Sequence, residues 1–365
     1  MQRDWRTSKG DEWLRHVVFI HFNPASGSPY WLKKESALGI DATKEIHTVD
    51  DLRILGPMAE EDLASVPVEE FIPKCFLENR PAIFTAETAG TTGVIKTTAY
   101  RIDEFRAAFS DFLRAVGIKR DFPGHLNWLF AGPSGPHIIH RSAIEMAVSF
   151  GAMQPFAIDF DPRWAKKLTP GSMALERYKA HILEQAVRII ETQDIGILFT
   201  TPDLALSIGA ALPSRVRGRI RGMHLGGLPL TPVLYEKLEQ SFNEAVIIPG
   251  YGNTLFGLTL EIEPHDGEYN VVYYPPGPRL KIEVCHVSGV DGSARLKKAE
   301  YGERGRIVAH RLDETFFIPN LIERDEGERV LPKEICTAPG VTQDGIKNPL
   351  PASDYTTRKV QEGLY

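Results

Sequence analysis

The stretch Ala86-Glu87-Thr88-Ala89-Gly90-Thr91-Thr92-Gly93-Val94-Ile95-Lys96 holds two glycines separated by two threonines, with a lysine three residues beyond the second glycine. Glycine lets the chain fold so closely that successive backbone N–H groups converge on one anion. The hydroxyls of Thr88, Thr91 and Thr92 add donors, and Lys96 places a positive charge at the rim. Such a set suits a polyphosphate, although Gly and Thr also make up ordinary turns. Spacing excludes two other phosphate-binding patterns. A P-loop needs Gly directly before Lys, where this chain has Ile95 before Lys96. Gly250-Tyr251-Gly252-Asn253-Thr254-Leu255 supplies the first two glycines of the dinucleotide fingerprint and puts Leu255 in the place of the third.

Working outward, 365 residues suffice for one large domain or two smaller ones with a substantial core. With 42% hydrophobic and 25% charged residues the chain reads as globular. A net charge of −6 argues against a nucleic-acid or anionic-membrane partner, and Arg215, Arg217, Arg219 and Arg221 read as a solvated face. Cys75, Cys285 and Cys336 are an odd number at wide spacings, which suits free thiols in a reducing compartment. The start Met1-Gln2-Arg3-Asp4-Trp5 has no apolar leader, and no apolar run is long enough to span a bilayer, so a cytoplasmic location is expected.

Residues 101–116 carry Phe105, Phe109, Phe112, Leu113 and Val116 on one helical face. Residues 170–192 repeat the pattern, with Thr169-Pro170 as a start signal. Short apolar segments at 81–84, 156–160, 196–200, 219–225 and 245–249 alternate with such helices and predict an α/β fold with largely parallel sheet. From 258 to 330 strands follow one another without helices, which predicts a β-rich part after an α/β part spanning 1–257. Residues 331–365, with Pro332, Pro339, Pro349 and Pro351, read as an irregular tail.

The Gly/Thr loop is followed in order by His224-Leu225-Gly226-Gly227-Leu228-Pro229, by Tyr251-Gly252-Asn253-Thr254 and by Gly302-Glu303-Arg304-Gly305-Arg306. That order resembles the adenylate-forming superfamily of acyl-CoA synthetases, adenylation domains and luciferases. Ser28-Pro29-Tyr30-Trp31, Asp50-Asp51-Leu52 and Thr201-Pro202-Asp203-Leu204 make it similar to the phenylacetate-CoA ligase subgroup, over about 28–325. Truncated members of that group that tailor phenazine antibiotics are a further resemblance. The resemblance implies two helix-layered sheets plus a β-rich subdomain over 1–330, with the small C-terminal domain absent. It implies ATP and Mg²⁺ as cofactors, and an aromatic carboxylic acid, such as a phenazine carboxylate, converted to an acyl-adenylate. A separate reductase, carrier protein or other acyl acceptor would receive the product. Thr88, Lys96 and Thr254 would then serve the reaction at the phosphates, with Gly90, Thr91, Thr92 and Gly93 closing over them. Gly226 and Gly227 would lay bare backbone against adenine, Tyr251 with Gly252 and Asn253 would stack on it, and Asp325 would take the ribose hydroxyls. His137, His224 and Phe256 are candidates for the acyl pocket; each histidine is as readily a structural group, and Phe256 a core residue.

The departures from that pattern matter. Leu255 stands where the superfamily has a metal-binding glutamate, which leaves the metal ligand unassigned; Ala89 and Ile95 replace a serine and a proline. Two other classes stay open: a non-catalytic binder of nucleotide or aryl acid, and an esterase or acyltransferase, for which Ser134 lies in a G-x-S-x-G pattern broken by Pro136. The size is compatible with a homodimer.

Overall fold

Residue 195 opens a run, Ile195–Thr200, in which every side chain is buried. A continuous apolar run of this kind fits a strand covered on both faces. The computed structural model describes residues 4–8, 11–90, 94–289 and 294–352. In it β1 (Ile83–Glu87) and β2 (Thr97–Arg101) form a separate antiparallel hairpin that carries the Gly/Thr loop at its tip. Then come β3 (Asn127–Gly132), β4 (Phe156–Asp159), β5 (Ile195–Thr200), β6 (Gly222–Leu225) and β7 (Val246–Asn253). These five are parallel neighbours in the order β4-β3-β5-β6-β7. The helices that return the chain between them are Ile138–Ser149, Met173–Thr192, Pro202–Ala211 and Pro232–Ser241. Thr201 and Thr231 cap the last two through their side chains, each followed by Pro at the first helical position.

The far end of β7 turns antiparallel onto β8 (Gly257–Glu261). β9 (Val272–Tyr274), β10 (Leu280–Ser288), β11 (Arg295–Lys298), β12 (Arg304–Leu312), β13 (Phe317–Ile335) and β14 (Ala338–Pro351) extend it in the order β8-β9-β14-β13-β12-β10-β11. The parallel and antiparallel halves therefore share one hydrogen-bonded sheet of twelve strands. One core cluster lies between the antiparallel half and the N-terminal helices, centred on Trp13, Trp31, Phe71 and Phe317. Two more cover the faces of the parallel half, around Ile190 with Leu198 and around Trp128 with Phe199. Among the described residues no helix is long and apolar enough to cross a membrane.

Three expectations are corrected. Of the tail expected to be irregular over 331–365, residues 331–335 complete β13 and Ala338–Pro351 is an interior strand between β13 and β9, while 353–365 lie outside the described residues. The β-rich part therefore runs to Pro351. Its prolines are tolerated because the ladder slips around them. Pro332 falls in the register shift between Val330 and Lys333, and Pro349 lies between the paired residues Lys347 and Leu350. The single helix over 101–116 is two, Ile102–Ala108 and Ser110–Lys119, broken at Phe109. Likewise, the helix expected from Pro170 begins at Met173, with the Ser172 hydroxyl accepting from the Leu175 N–H.

A buried ion cluster joins the hairpin to the sheet. Arg311 is wholly buried; its Nε donates to Asp313 Oδ2 at 2.6 Å, and Asp313 also pairs with buried Arg279. The Arg311 Nη1 donates to Thr98 Oγ1 (2.8 Å) and to the Leu255 carbonyl (3.1 Å), and Nη2 donates to the Ala99 carbonyl (2.7 Å). Removing one partner of such a cluster strands buried charge, at about 3–5 kcal/mol. Asp313→Ala is expected to lower urea stability by that order; a midpoint within error of the parent would mean the two arginines do not depend on it.

Candidate functional site

A cleft of about 370 Å³ opens where the carboxyl ends of β5, β6 and β7 meet the Gly/Thr hairpin. Ligands of α/β sheets bind at that edge because the strands end there and leave backbone groups free. Gly226 and Gly227 follow β6 and line it. A Cβ on Gly226 would meet nothing closer than 3.9 Å, and Gly227 has a φ of 85°, which disfavours any side chain. Gly252 is fixed by crowding, since a Cβ there would lie 2.0 Å from the Gly257 carbonyl oxygen.

One wall is apolar: Phe109, Ile138, Ile139, Phe199 and Leu258 line it, and the helix break at Phe109 falls on this wall. His224 completes it, edge-on to Phe199 with ring centroids 4.5 Å apart. Its Nδ1–H donates to the Ile248 carbonyl at 2.8 Å, and burial drops its pKa to about 4, so the ring is neutral at physiological pH. His137 also lines the cleft, at the start of the helix Ile138–Ser149; burial lowers its pKa, and Arg163 lowers it further. Phe256 does not reach the cleft. It is buried in the core beneath the N-terminal helices, which corrects its assignment to the acyl pocket.

The other wall is polar. The neck of the Gly/Thr loop is closed by two bonds: the Thr88 N–H donates to the Lys96 carbonyl (2.9 Å), and the Lys96 N–H donates to Thr88 Oγ1 (3.0 Å). Gly90 has a φ of 67°; Ala89 rather than Gly90 lines the cleft, and Thr91, Thr92 and Gly93 lie outside the described residues. Lys96 is buried rather than standing at the rim, with its Nζ 2.5 Å from Glu60 Oε2.

Tyr251 and Asp325, distant in sequence, meet: the Tyr251 hydroxyl donates to Asp325 Oδ2 at 3.1 Å. Burial and the neighbouring carboxylates hold the Tyr251 hydroxyl firmly protonated. Asp325 Oδ1 is buried without a hydrogen bond among the described residues and lies 3.4 Å from Arg324 Nε, and burial raises the Asp325 pKa. Asn253 holds its own turn: Oδ1 accepts from the Leu255 N–H (2.8 Å) and the Phe256 N–H (3.2 Å), and Nδ2 donates to Glu323 Oε1 (2.7 Å). Thr254 lines the cleft, its carbonyl accepting from the Tyr100 hydroxyl at 3.0 Å.

Glu60, Glu323 and Arg324 were missed by sequence reasoning and line the same cleft. Glu323 sits two residues before Asp325, so proximity to the expected ribose ligand was its signal; Glu60 lies in an acidic run indistinguishable from a solvated face. Glu60, paired with Lys96, and Glu323, holding Asn253 through one oxygen, are the cleft carboxylates to which a Mg²⁺ ion arriving with a nucleotide could bind, since Mg²⁺ commonly takes one or two carboxylates plus phosphate oxygens. No group of three or more metal-capable side chains exists among the described residues, so a cation held by the protein alone does not fit. Ser134 Oγ donates to Asp159 Oδ1 at 2.8 Å. Its partner is thus a carboxylate and not a histidine; the Ser28–His21 contact of 2.6 Å is fully buried, so Ser28 is not an accessible nucleophile.

This architecture is similar to that of solved ligases. 2-Hydroxyisobutyryl-CoA ligase, in an open conformation with 2-HIB-AMP and CoA, matches with a TM-score of 0.64 at 14% identity, covering 93% of this chain and 75% of the ligase. The same ligase in its postadenylation state with 2-HIB-AMP gives 0.63 at 14% identity, over 93% and 68%. Its thioesterification state with 2-HIB-AMP and CoA gives 0.57 at 15%, over 91% and 65%. The fold is that of the large N-terminal domain of adenylate-forming enzymes. No protein-family model and no curated protein matches the sequence, so the likeness is one of fold.

Glu323 gives the site a pH signature. Burial, then repulsion from Asp325, pushes its pKa up from 4.5 to about 7. An acid whose pKa is raised on folding binds more protons in the native state, so its contribution to stability is complete below the unfolded pKa and is lost as pH rises towards 7. Glu104, also raised to about 7, adds the same slope. Glu323→Gln is expected to flatten the fall in melting temperature between pH 4.5 and 7. A profile parallel to that of the parent would mean Glu323 is not desolvated.

Proposed function

We propose that this chain activates an aromatic carboxylic acid with ATP, forming an acyl-adenylate. The observation that carries this reading is the opening of the Thr88–Lys96 neck, the bare backbone at Gly226–Gly227 and the Tyr251–Asp325 pair onto one cleft. A carboxylate oxygen of the acid would attack the α-phosphorus; the bond from that phosphorus to the bridging oxygen breaks, and pyrophosphate leaves with its electron pair. Both reactants are anions, so alignment and charge dispersal are what the protein supplies, and no covalent nucleophile is needed.

Each group then has a task it is built for. Asp325 Oδ1, without a hydrogen bond among the described residues and 3.4 Å from Arg324 Nε, is an acceptor for ribose hydroxyls, and Tyr251, anchored through its hydroxyl to the same carboxylate, offers a ring face to the base. Thr88 and Thr254 present hydroxyls, and Lys96 presents charge once it exchanges Glu60 for phosphate. Mg²⁺ would supply charge neutralisation at the phosphates, held by Glu323 and Glu60. The apolar wall of Phe109, Phe199, Ile138 and Leu258, with neutral His224, favours a flat aromatic ring over a charged or aliphatic chain. A phenazine carboxylate belongs to that class. The product would pass to a separate reductase, carrier protein or acyl acceptor.

A second reading, a non-catalytic nucleotide or aryl-acid binder, is favoured by Leu255, which cannot ligate a metal, and by the Glu60–Lys96 pair. Pyrophosphate release separates the two. With ATP, Mg²⁺ and a panel of aryl acids, release is expected to depend on the acid, and Lys96→Ala is expected to lower kcat/KM by about 10²–10³-fold, the order of losing one charge-stabilising donor. Nucleotide binding without pyrophosphate from any acid would support the binder instead.

A further inference from the structure

In the apolar wall of the cleft one polar atom stands without a task. His224 lies on β6, opposite Ile248 of β7 in the parallel ladder, and its Nδ1 is 2.8 Å from the Ile248 carbonyl oxygen. A carbonyl oxygen can only accept, so Nδ1 carries the hydrogen. In the neutral ring, which burial favours, Nε2 then keeps its lone pair and is an acceptor. Among the described residues Nε2 makes no hydrogen bond. His224 is 1% exposed, and that remainder includes Nε2, which is not among the sealed polar atoms. The opening that the ring lines is the cleft.

The neighbours fix the ring and leave that edge uncovered. Phe199 meets it edge-on at 4.5 Å between centroids. Gly250 borders the Cε1 corner next to Nε2: a Cβ there would lie 3.0 Å from His224 Cε1 and 2.7 Å from Leu258 Cδ1, so any side chain at 250 would crowd both. The bond to Ile248 accounts for Nδ1 and leaves Nε2 unexplained. A plain hydrocarbon ring would be served as well by Phe or Leu at 224, with no acceptor left dry. An acceptor set in an apolar wall is unfavourable until a ligand donor meets it. That donor must be neutral, because an ammonium would be desolvated against Phe199 and Leu258.

We propose that His224 selects acids whose ring carries a neutral hydrogen-bond donor, a hydroxyl or a ring N–H, which donates to Nε2. This rests on the reading of the apolar wall as the pocket for an aryl acid. The bond would stop the flat ring from turning in its slot, so that the carboxylate keeps one heading towards the phosphates. An acid without the donor leaves Nε2 unpaired and out of water, and is rejected for that reason.

The test is a calorimetric titration of the full chain with matched hydroxy- and fluoro-substituted benzoates and naphthoates, which differ in the donor and little in size. At one ring position the hydroxy acid is expected to bind about tenfold tighter than its fluoro partner, the order of one hydrogen bond to an otherwise unpaired acceptor. His224→Asn is expected to bring that ratio close to one. Its amide N–H can keep the bond to the Ile248 carbonyl, and it has no atom at the place of Nε2, so lost selectivity stays apart from lost folding. Without any mutation, the ¹⁵N spectrum of the His224 ring is expected to show the Nδ1–H tautomer, with the Nε2 resonance moving on addition of the hydroxy acid and not of the fluoro acid. Equal affinities within every pair, a preference that survives His224→Asn, or an Nε2–H tautomer overturns the proposal. Binding by none of the acids overturns it together with the aryl-acid reading. Acid-dependent pyrophosphate release that ignores the donor would remove this inference and keep adenylation; a His224-dependent preference without pyrophosphate would do the reverse.

Discussion

Arg311 is the contact on which both halves of the site hang. A guanidinium taken wholly out of water is tolerated only if most of its donors are met, and four bonds meet them: Asp313, Thr98, and the carbonyls of Ala99 and Leu255. Two of those partners lie on β2, directly after the Gly/Thr loop, and one ends the Tyr251–Thr254 turn. Its guanidinium also lies 3.6 Å from the centre of the Tyr100 ring, and the Tyr100 hydroxyl holds the Thr254 carbonyl. Two segments more than 150 residues apart in sequence are thus fixed to one planar group, whose fork geometry allows little sliding.

The cleft that results is electrically strained at one place. Burial, then repulsion from Asp325, pushes the Glu323 pKa to about 7, and Arg324, 3.4 Å from Asp325 Oδ1, offsets part of that repulsion. Hydroxyl donors or a cation would relieve the rest. Stability given up to hold charges in place is a common cost of binding sites.

Much of this was legible in sequence, for physical reasons that can be named. The buried run Ile195–Thr200 and the Thr-Pro starts at 201 and 231 are local signals, and they gave the α/β class. The prolines of 331–351 misled because a proline in a strand is judged by propensity, whereas the ladder here slips at Pro332 and Pro349, and Pro351 closes the strand. Gly226, Gly227, Tyr251 and Asp325 were found through motifs, and the sheet order brings them together. Phe256, readable in sequence as either an acyl-pocket or a core residue, belongs to the core cluster beneath the N-terminal helices.

Leu255 shows why position and chemistry must be read together. Its side chain packs in the cluster beneath the N-terminal helices, and its carbonyl is one of the acceptors that satisfy Arg311. Leu255 also lines the cleft, and a carboxylate there would be desolvated among apolar neighbours at a cost on the order of several kcal/mol. A carboxylate already on the cleft is Glu323, held by Asn253 from the same turn that ends at Leu255. With a pKa near neutrality it can give up a proton to a cation at little cost, and the turn that carries Leu255 orients this carboxylate from β13 through Asn253.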